Sequence, residues 1–196
     1  MPSDLWVMFR PAAAYSYLSK LPCHATRWTV VRRPLLMAVL LGCAVSLMTE
    51  GRLTPRLALP AAFYWSFLPL LQVGCVAVSY RRARSPRSLA SAIDLFFAGT
   101  APWMLWLAAY TSLWALAAPP RAYNWSGYHK LWYGLAILAG CWSAYIDFCY
   151  FRLVLGKTAA GAGGSLLFHR AVCWGFGLAV FVLPGGWQTV ASWAGL

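Results

Sequence analysis

The chain carries only four acidic residues, Asp4, Glu50, Asp94 and Asp147, and three histidines, His24, His129 and His169. General acid–base work needs such groups converging on one reacting atom, and this is a thin supply. Asp147 is the informative one. It is the sole charge among the 21 residues between Lys130 and Arg152, a run about long enough for a helix to cross the roughly 30 Å hydrocarbon core of a bilayer. A carboxylate inside such a run is expensive in lipid, so it must face protein or water. Asp94 stands at the start of the preceding apolar run. The two aspartates admit two readings. One is a proton or cation relay; the other is pairing with Arg87, Arg152 or Arg170, which would lock helices together. Few other polar groups line a path, which favours pairing.

Other chemistries lack their parts. Gly156-Lys157-Thr158 suggests a phosphate loop, but the motif needs a glycine five residues earlier, where Phe151 stands. A nucleophilic serine in a G-x-S-x-G elbow is absent. His129 and His169 are expected at opposite ends of neighbouring spans, too far apart to share a metal. His24 and Cys23 lie together without a second cluster. The six cysteines contain no C-x-x-C pair and read as small buried hydrophobes. Asn124-Trp125-Ser126 is formally a glycosylation acceptor in a short outer loop. Neither enzyme activity nor a cofactor or metal is expected.

The elements that must position the aspartates are apolar helices. Apolar residues make up 61 % of the chain and charged residues 10 %, with 12 tryptophans, whereas soluble domains are nearer a quarter charged. Five runs follow one another: 34–49, 57–80, 95–118, 131–151 and 165–183. The first, 16 residues between Arg33 and Glu50, spans only if Trp28–Val31 joins it and Arg32 and Arg33 snorkel. Pro60, Pro69 and Pro102 predict kinks; Pro119-Pro120 and Pro184-Gly185-Gly186 end helices. In the fourth run Ala136, Gly140 and Ala144 recur four apart, with Asp147 three further on, a small-residue face for close helix packing. Ahead of the bundle, residues 1–33 form a cytoplasmic amphipathic segment, with Leu5–Leu21 expected on the inner leaflet. The resulting expectation is an all-α integral membrane protein, a bundle of about five transmembrane helices occupying 34–196.

The net charge of +12 is scattered between apolar runs rather than gathered on one soluble face, so anionic lipid headgroups, not nucleic acid, are the expected partners, together with other membrane helices. With five spans, one side holds Arg10, Lys20, Arg27, Arg32, Arg33, Arg81, Arg82, Arg84, Arg87, Arg152, Lys157 and Arg170. The other holds Arg52, Arg56, Arg121 and Lys130. A re-entrant first run would divide the same cations almost evenly. The lopsided split predicts a cytoplasmic amino terminus and an outer carboxyl terminus, in a cell membrane, and the composition suggests a bacterial inner membrane.

Three stretches carry a resemblance to the Yip family of small multi-span membrane proteins, in its bacterial Yip-domain form. Phe9-Arg10-Pro11 looks like that family's aromatic–basic–proline lead-in. The basic Arg84-Ser85-Pro86-Arg87-Ser88-Leu89 linker, running into a helix with Pro102, is similar to its middle. Trp142–Leu155, a small-residue loop and a helix near Ala171 resemble its end. The acidic, tyrosine-bearing motif through which eukaryotic members engage Rab GTPases has no counterpart here. The resemblance implies a five-helix bundle with a cytoplasmic amino terminus and an organising role in the membrane. A non-enzymatic scaffold or accessory protein is the leading expectation. A small transporter or exporter component using its aspartates comes second, and a small membrane subunit of an enzyme complex third.

Overall fold

A computed structural model describes residues 2–21, 27–83, 85, 87–116 and 126–182. Every regular element among them is an α-helix: α1 (Pro2–Phe9), α2 (Pro11–Leu18), α3 (Arg27–Glu50), α4 (Pro55–Trp65), α5 (Phe67–Arg81), α6 (Leu89–Ala98), α7 (Ala101–Leu116), α8 (Ser126–Leu153) and α9 (Ala159–Val182). His24, Cys23, Arg84, Pro86, Pro119-Pro120, Arg121, Asn124 and Pro184-Gly185-Gly186, each given a part in the sequence reading, lie outside the described residues, as do the side chains of His129 and Lys130.

Local sequence sets the boundaries. Pro11 and Pro55 open α2 and α4, where a missing N–H costs nothing. Ser88 caps α6 by accepting from the Ser91 amide at 3.3 Å, satisfying one orphan donor. Gly51 after α3 and Gly156 after α8 have φ of +68° and +66°, the left-handed turn that ends a helix at little steric cost. The prolines act one turn upstream of themselves. Pro69 cannot donate to Trp65, and the helix is interrupted at Ser66 between α4 and α5. Pro102 cannot donate to Ala98, and α6 and α7 meet at a 42° bend across Gly99–Thr100. Both follow from the lost i→i−4 bond.

Three stretches are long and apolar enough to cross a membrane: Trp28–Glu50, Pro55–Arg81 and Leu131–Leu153. The bent pair α6–α7 makes a fourth if it counts as one span. The first apolar run is thus extended at its amino-terminal end, with Arg32 and Arg33 inside the helix. The third begins earlier than its apolar run suggests, because the Ser88 cap starts α6 at Leu89 and leaves Asp94 mid-helix.

The long elements close a ring, α3 against α7, α7 against α8, α8 against α9, α9 against α5, and α5 back against α3. Helices α1 and α2 cover one end, packed on α6, α7 and α8. Val7, Ala14 and Tyr15 are buried there, while Leu5, Phe9 and Tyr17 face away. The amino-terminal strip therefore docks on protein by one face and keeps the other free for an interface. Helix α3 approaches α4 closely, so that a Cβ at Gly42 would sit 2.2 Å from the Ala58 carbonyl oxygen and 2.7 Å from the Ala62 side chain. On α8 the buried face runs through Trp132, Ala139, Ser143, Ile146, Asp147 and Tyr150. It is rotated away from Ala136 and Ala144, which are only partly buried. A Cβ at Gly140 would meet the Trp103 indole at an ordinary 3.5 Å. The small-residue face is covered by a tryptophan rather than by another backbone.

Candidate functional site

The end of the bundle under α1 and α2 is knitted by hydrogen bonds to main chain. Asp94 on α6 receives Arg32 at 3.1 Å and Arg33 at 2.9 Å from α3, and Arg33 also binds Asp4 at 2.5 Å. Tyr15 donates to the Leu95 carbonyl at 3.2 Å and Tyr150 to that of Ala92 at 2.9 Å. Burial pushes the Tyr15 phenol well above its ordinary range, so it remains a donor at any physiological pH. Arg87 meets neither aspartate. Its guanidinium caps the end of α2, donating to the carbonyls of Leu18, Ser19 and Leu21 and to Ser91 Oγ, a cation at a helix carboxyl end. Arg152 is exposed, and no ion pair among the described residues includes it.

The second aspartate lies deeper. Ser143 and Asp147, one turn apart on α8, share a face, and Arg170 of α9 donates to Ser143 Oγ at 2.8 Å and to Asp147 Oδ2 at 2.6 Å. Arg170 reaches them because helical side chains lean toward the helix amino terminus, which for α9 is the Asp147 end. The sequence places Asp94, Asp147, Arg87, Arg152 and Arg170 in one charged layer. The structure divides them into an Asp94 cluster served by Arg32 and Arg33, and an Asp147–Arg170 pair.

That pair forms part of the wall of a partly open cavity of about 670 Å³ between the helices of the ring. Its lining comes from α3, α4, α5, α6, α7, α8 and α9 and includes Trp65, Trp103, Trp106 and Trp174. Trp103 stands edge-on to Trp106 at 5.6 Å and to Trp174 at 5.4 Å, a favoured aromatic geometry. His169, 3 % exposed, is held against Phe96 at 5.0 Å and Phe151 at 6.4 Å, and neither of its ring nitrogens has a hydrogen-bond partner. Arg170 Nε, Gln72 Oε1 and Trp65 Nε1 are likewise buried without partners. Buried polar atoms are nearly always satisfied. These atoms belong to residues that line the cavity, but each is itself sealed by its neighbours.

Sequence context does not single out Ser143, Gln72 or Trp65, and it raises His169 only as a metal ligand. A signal existed for two of them. Ser143 stands four before Asp147, and Gln72 is the sole carboxamide in the run 57–80. No group of three or more His, Cys, Asp or Glu converges among the described residues. Gly156-Lys157-Thr158 is a turn and cap: Thr158 Oγ1 accepts from the Gly161 amide at 3.2 Å, and Lys157 donates to Ser165 at 2.6 Å. No family model, curated protein or solved structure matches the chain.

Proposed function

We propose that the chain is a non-enzymatic membrane protein of five spans, with its amino terminus cytoplasmic, that binds an apolar small molecule inside its bundle as a transport or accessory component. The observation that carries this reading is the 670 Å³ cavity, whose largely apolar lining includes the Arg170–Asp147 pair, Ser143 and Gln72. Its size is that of a small-molecule site, mostly apolar with a few convergent polar groups. The five-span topology rests on the charge split between the two ends, with α9 as the fifth crossing. The non-enzymatic reading rests on the acids: Asp4, Asp94 and Asp147 are held in ion pairs and Glu50 accepts from Thr54. Such groups are committed to structure.

The scaffold reading implied by the Yip resemblance needs only the bundle and its outer faces, and the apolar exposed side of α8, with Tyr133, Ile137 and Leu138, gives it a surface for lipid or a neighbouring helix. It does not account for the cavity. Extraction of the purified chain with organic solvent, followed by mass spectrometry, separates the two. A stoichiometric small molecule should leave the wild type and be missing from Gly177→Leu. Gly177 lines the cavity, and an added Cβ there meets nothing within 4 Å, so a leucine side chain starts in open space. A wild type that carries nothing, or a variant that carries as much, would refute the binding reading. Reporter fusions after Leu196 and within 81–87 should report opposite sides; the same side for both contradicts five spans.

A further inference from the structure

Where α5 and α8 finish, two connections meet and leave positive charge uncancelled. Ser85, after α5, donates from Oγ to the Val154 carbonyl at 3.0 Å and ties the α5–α6 connection to the α8–α9 turn. Gly156 makes that turn with a φ of +66°, and Lys157 follows it. The partly buried Lys157 ammonium donates to Ser165 Oγ at 2.6 Å, a neutral acceptor that cancels no charge. Arg82, exposed on the neighbouring connection, lies close enough to repel it: burial first and Arg82 second lower the Lys157 amine from its ordinary value. Like charges held together are costly, and no acid relieves these two. Asp4, Asp94 and Asp147 pair with Arg33, Arg32 and Arg170, and Glu50 accepts from Thr54. No ion pair among the described residues includes Arg82 or Lys157. Arg81 and Arg152, exposed cations in the last turns of α5 and α8, add to the same field.

What such a pair recognises is set by its charge and its depth. A guanidinium beside an ammonium suits a phosphate group bearing two negative charges: arginine binds it through two parallel bonds and lysine as a point charge. Arg82 follows α5 directly and Lys157 stands two residues ahead of α9, which for helices that cross a bilayer is the depth of the lipid headgroups. We infer that Arg82 and Lys157 form a site for the phosphomonoester headgroup of a membrane lipid, the chemistry of phosphatidic acid, where the α5–α6 and α8–α9 connections meet. Its two charges cancel those of the pair, and its acyl chains continue into the bilayer beside the bundle. The site rests on the reading of the helices as membrane spans and owes nothing to the cavity.

The test holds the full chain in nonionic detergent micelles under three conditions. The micelles carry dioleoyl phosphatidic acid, or dioleoyl phosphatidylglycerol, whose phosphodiester has one charge, or no lipid with inorganic phosphate in the buffer. Binding is read as a saturable rise in melting temperature. Phosphatidic acid should bind about fivefold or more tightly than phosphatidylglycerol, and inorganic phosphate should give no rise over the same range. Arg82→Gln and Lys157→Gln should each weaken phosphatidic acid about fivefold or more, as loss of a charge-assisted bond does. Lys20→Gln removes a cation that lies after α2, on neither connection, and should leave binding unchanged. Equal binding of the two lipids would overturn the doubly charged headgroup, and an equal rise with inorganic phosphate would overturn the lipid. Equal losses in Lys20→Gln and Lys157→Gln would show diffuse attraction to basic residues and overturn the site, as would unchanged binding in both Arg82→Gln and Lys157→Gln. Gly177→Leu should bind phosphatidic acid as wild type does; loss there would place the lipid in the cavity instead. A wild type that yields nothing to organic solvent yet binds phosphatidic acid would sink the cavity reading and leave this site standing.

Discussion

Asp94 and Asp147 are both bound by arginine inside the same bundle, yet their surroundings have been put to opposite uses. Around Asp94, two arginines and the hydroxyls of Tyr15 and Tyr150 are all spent on protein acceptors, a second aspartate among them. Nothing in that hydrogen-bonding layer calls for an outside molecule. Around Asp147 the pairing is sufficient to keep the carboxylate from lipid, but buried atoms of His169, Gln72, Trp65 and Arg170, residues that border open volume, have no hydrogen-bond partner. Buried polar atoms without partners cost about 1–3 kcal/mol each. The first layer is satisfied throughout, whereas the second carries that cost beside a cavity, and this is why the cavity rather than the Asp94 layer is proposed as the site.

Removing Arg170 should produce the largest effect, because it strips the one partner that makes Asp147 tolerable. Arg170→Leu is expected to cost roughly 3–5 kcal/mol in detergent unfolding, as breaking a buried pair generally does. Asp147→Leu should follow it, and Asp147→Asn, which keeps shape and hydrogen bonds, should cost less. Equal stability of all three with wild type would mean the pair holds nothing.

Two glycines sharpen the contrast between packed and open regions. Gly42→Leu forces a side chain into the Ala58 carbonyl and should lose about 1–3 kcal/mol or more by overpacking, whereas Gly177→Leu should lose none. Comparable losses from both would show that the cavity collapses in solution. In the layer of Asp94, Arg87→Ala should cost roughly 1.5–3 kcal/mol, the worth of charged hydrogen bonds, and free α2 from the bundle. Faster amide exchange over 11–18 reads this out; unchanged exchange contradicts the capping role. Tyr15→Phe is smaller, about 0.5–1.5 kcal/mol for its single bond to Leu95.

Much of the helical framework is legible in the chain, because apolar runs between cations report span length directly. Arg170 is likewise legible as a partner of Asp147, since both stand in neighbouring runs near the same end. The partners of Asp94 are not, because Arg32 and Arg33 lie 62 and 61 residues away and only the α3–α6 crossing unites them. The spacing of Ala136, Gly140 and Ala144 states where a backbone has room to approach, not what occupies it, and here the Trp103 indole does. The apolar and aromatic residues interspersed with Arg10 and Lys20 in 5–21 suit a bilayer surface and a protein surface equally, so the docking of Tyr15 needed three dimensions. The cavity is the least legible feature, being a volume that seven helices fail to fill rather than a property of any one.

The central claim is that the cavity beside Asp147 holds a small molecule, and Gly177→Leu tests it most directly. Wild type and variant are purified in mild detergent, extracted with organic solvent, and the extracts compared by mass spectrometry beside the melting temperatures of the two proteins. The expected result is a stoichiometric small molecule from the wild type that is missing from a variant that still folds. A wild type that carries nothing, or a folded variant that carries as much, would contradict the claim.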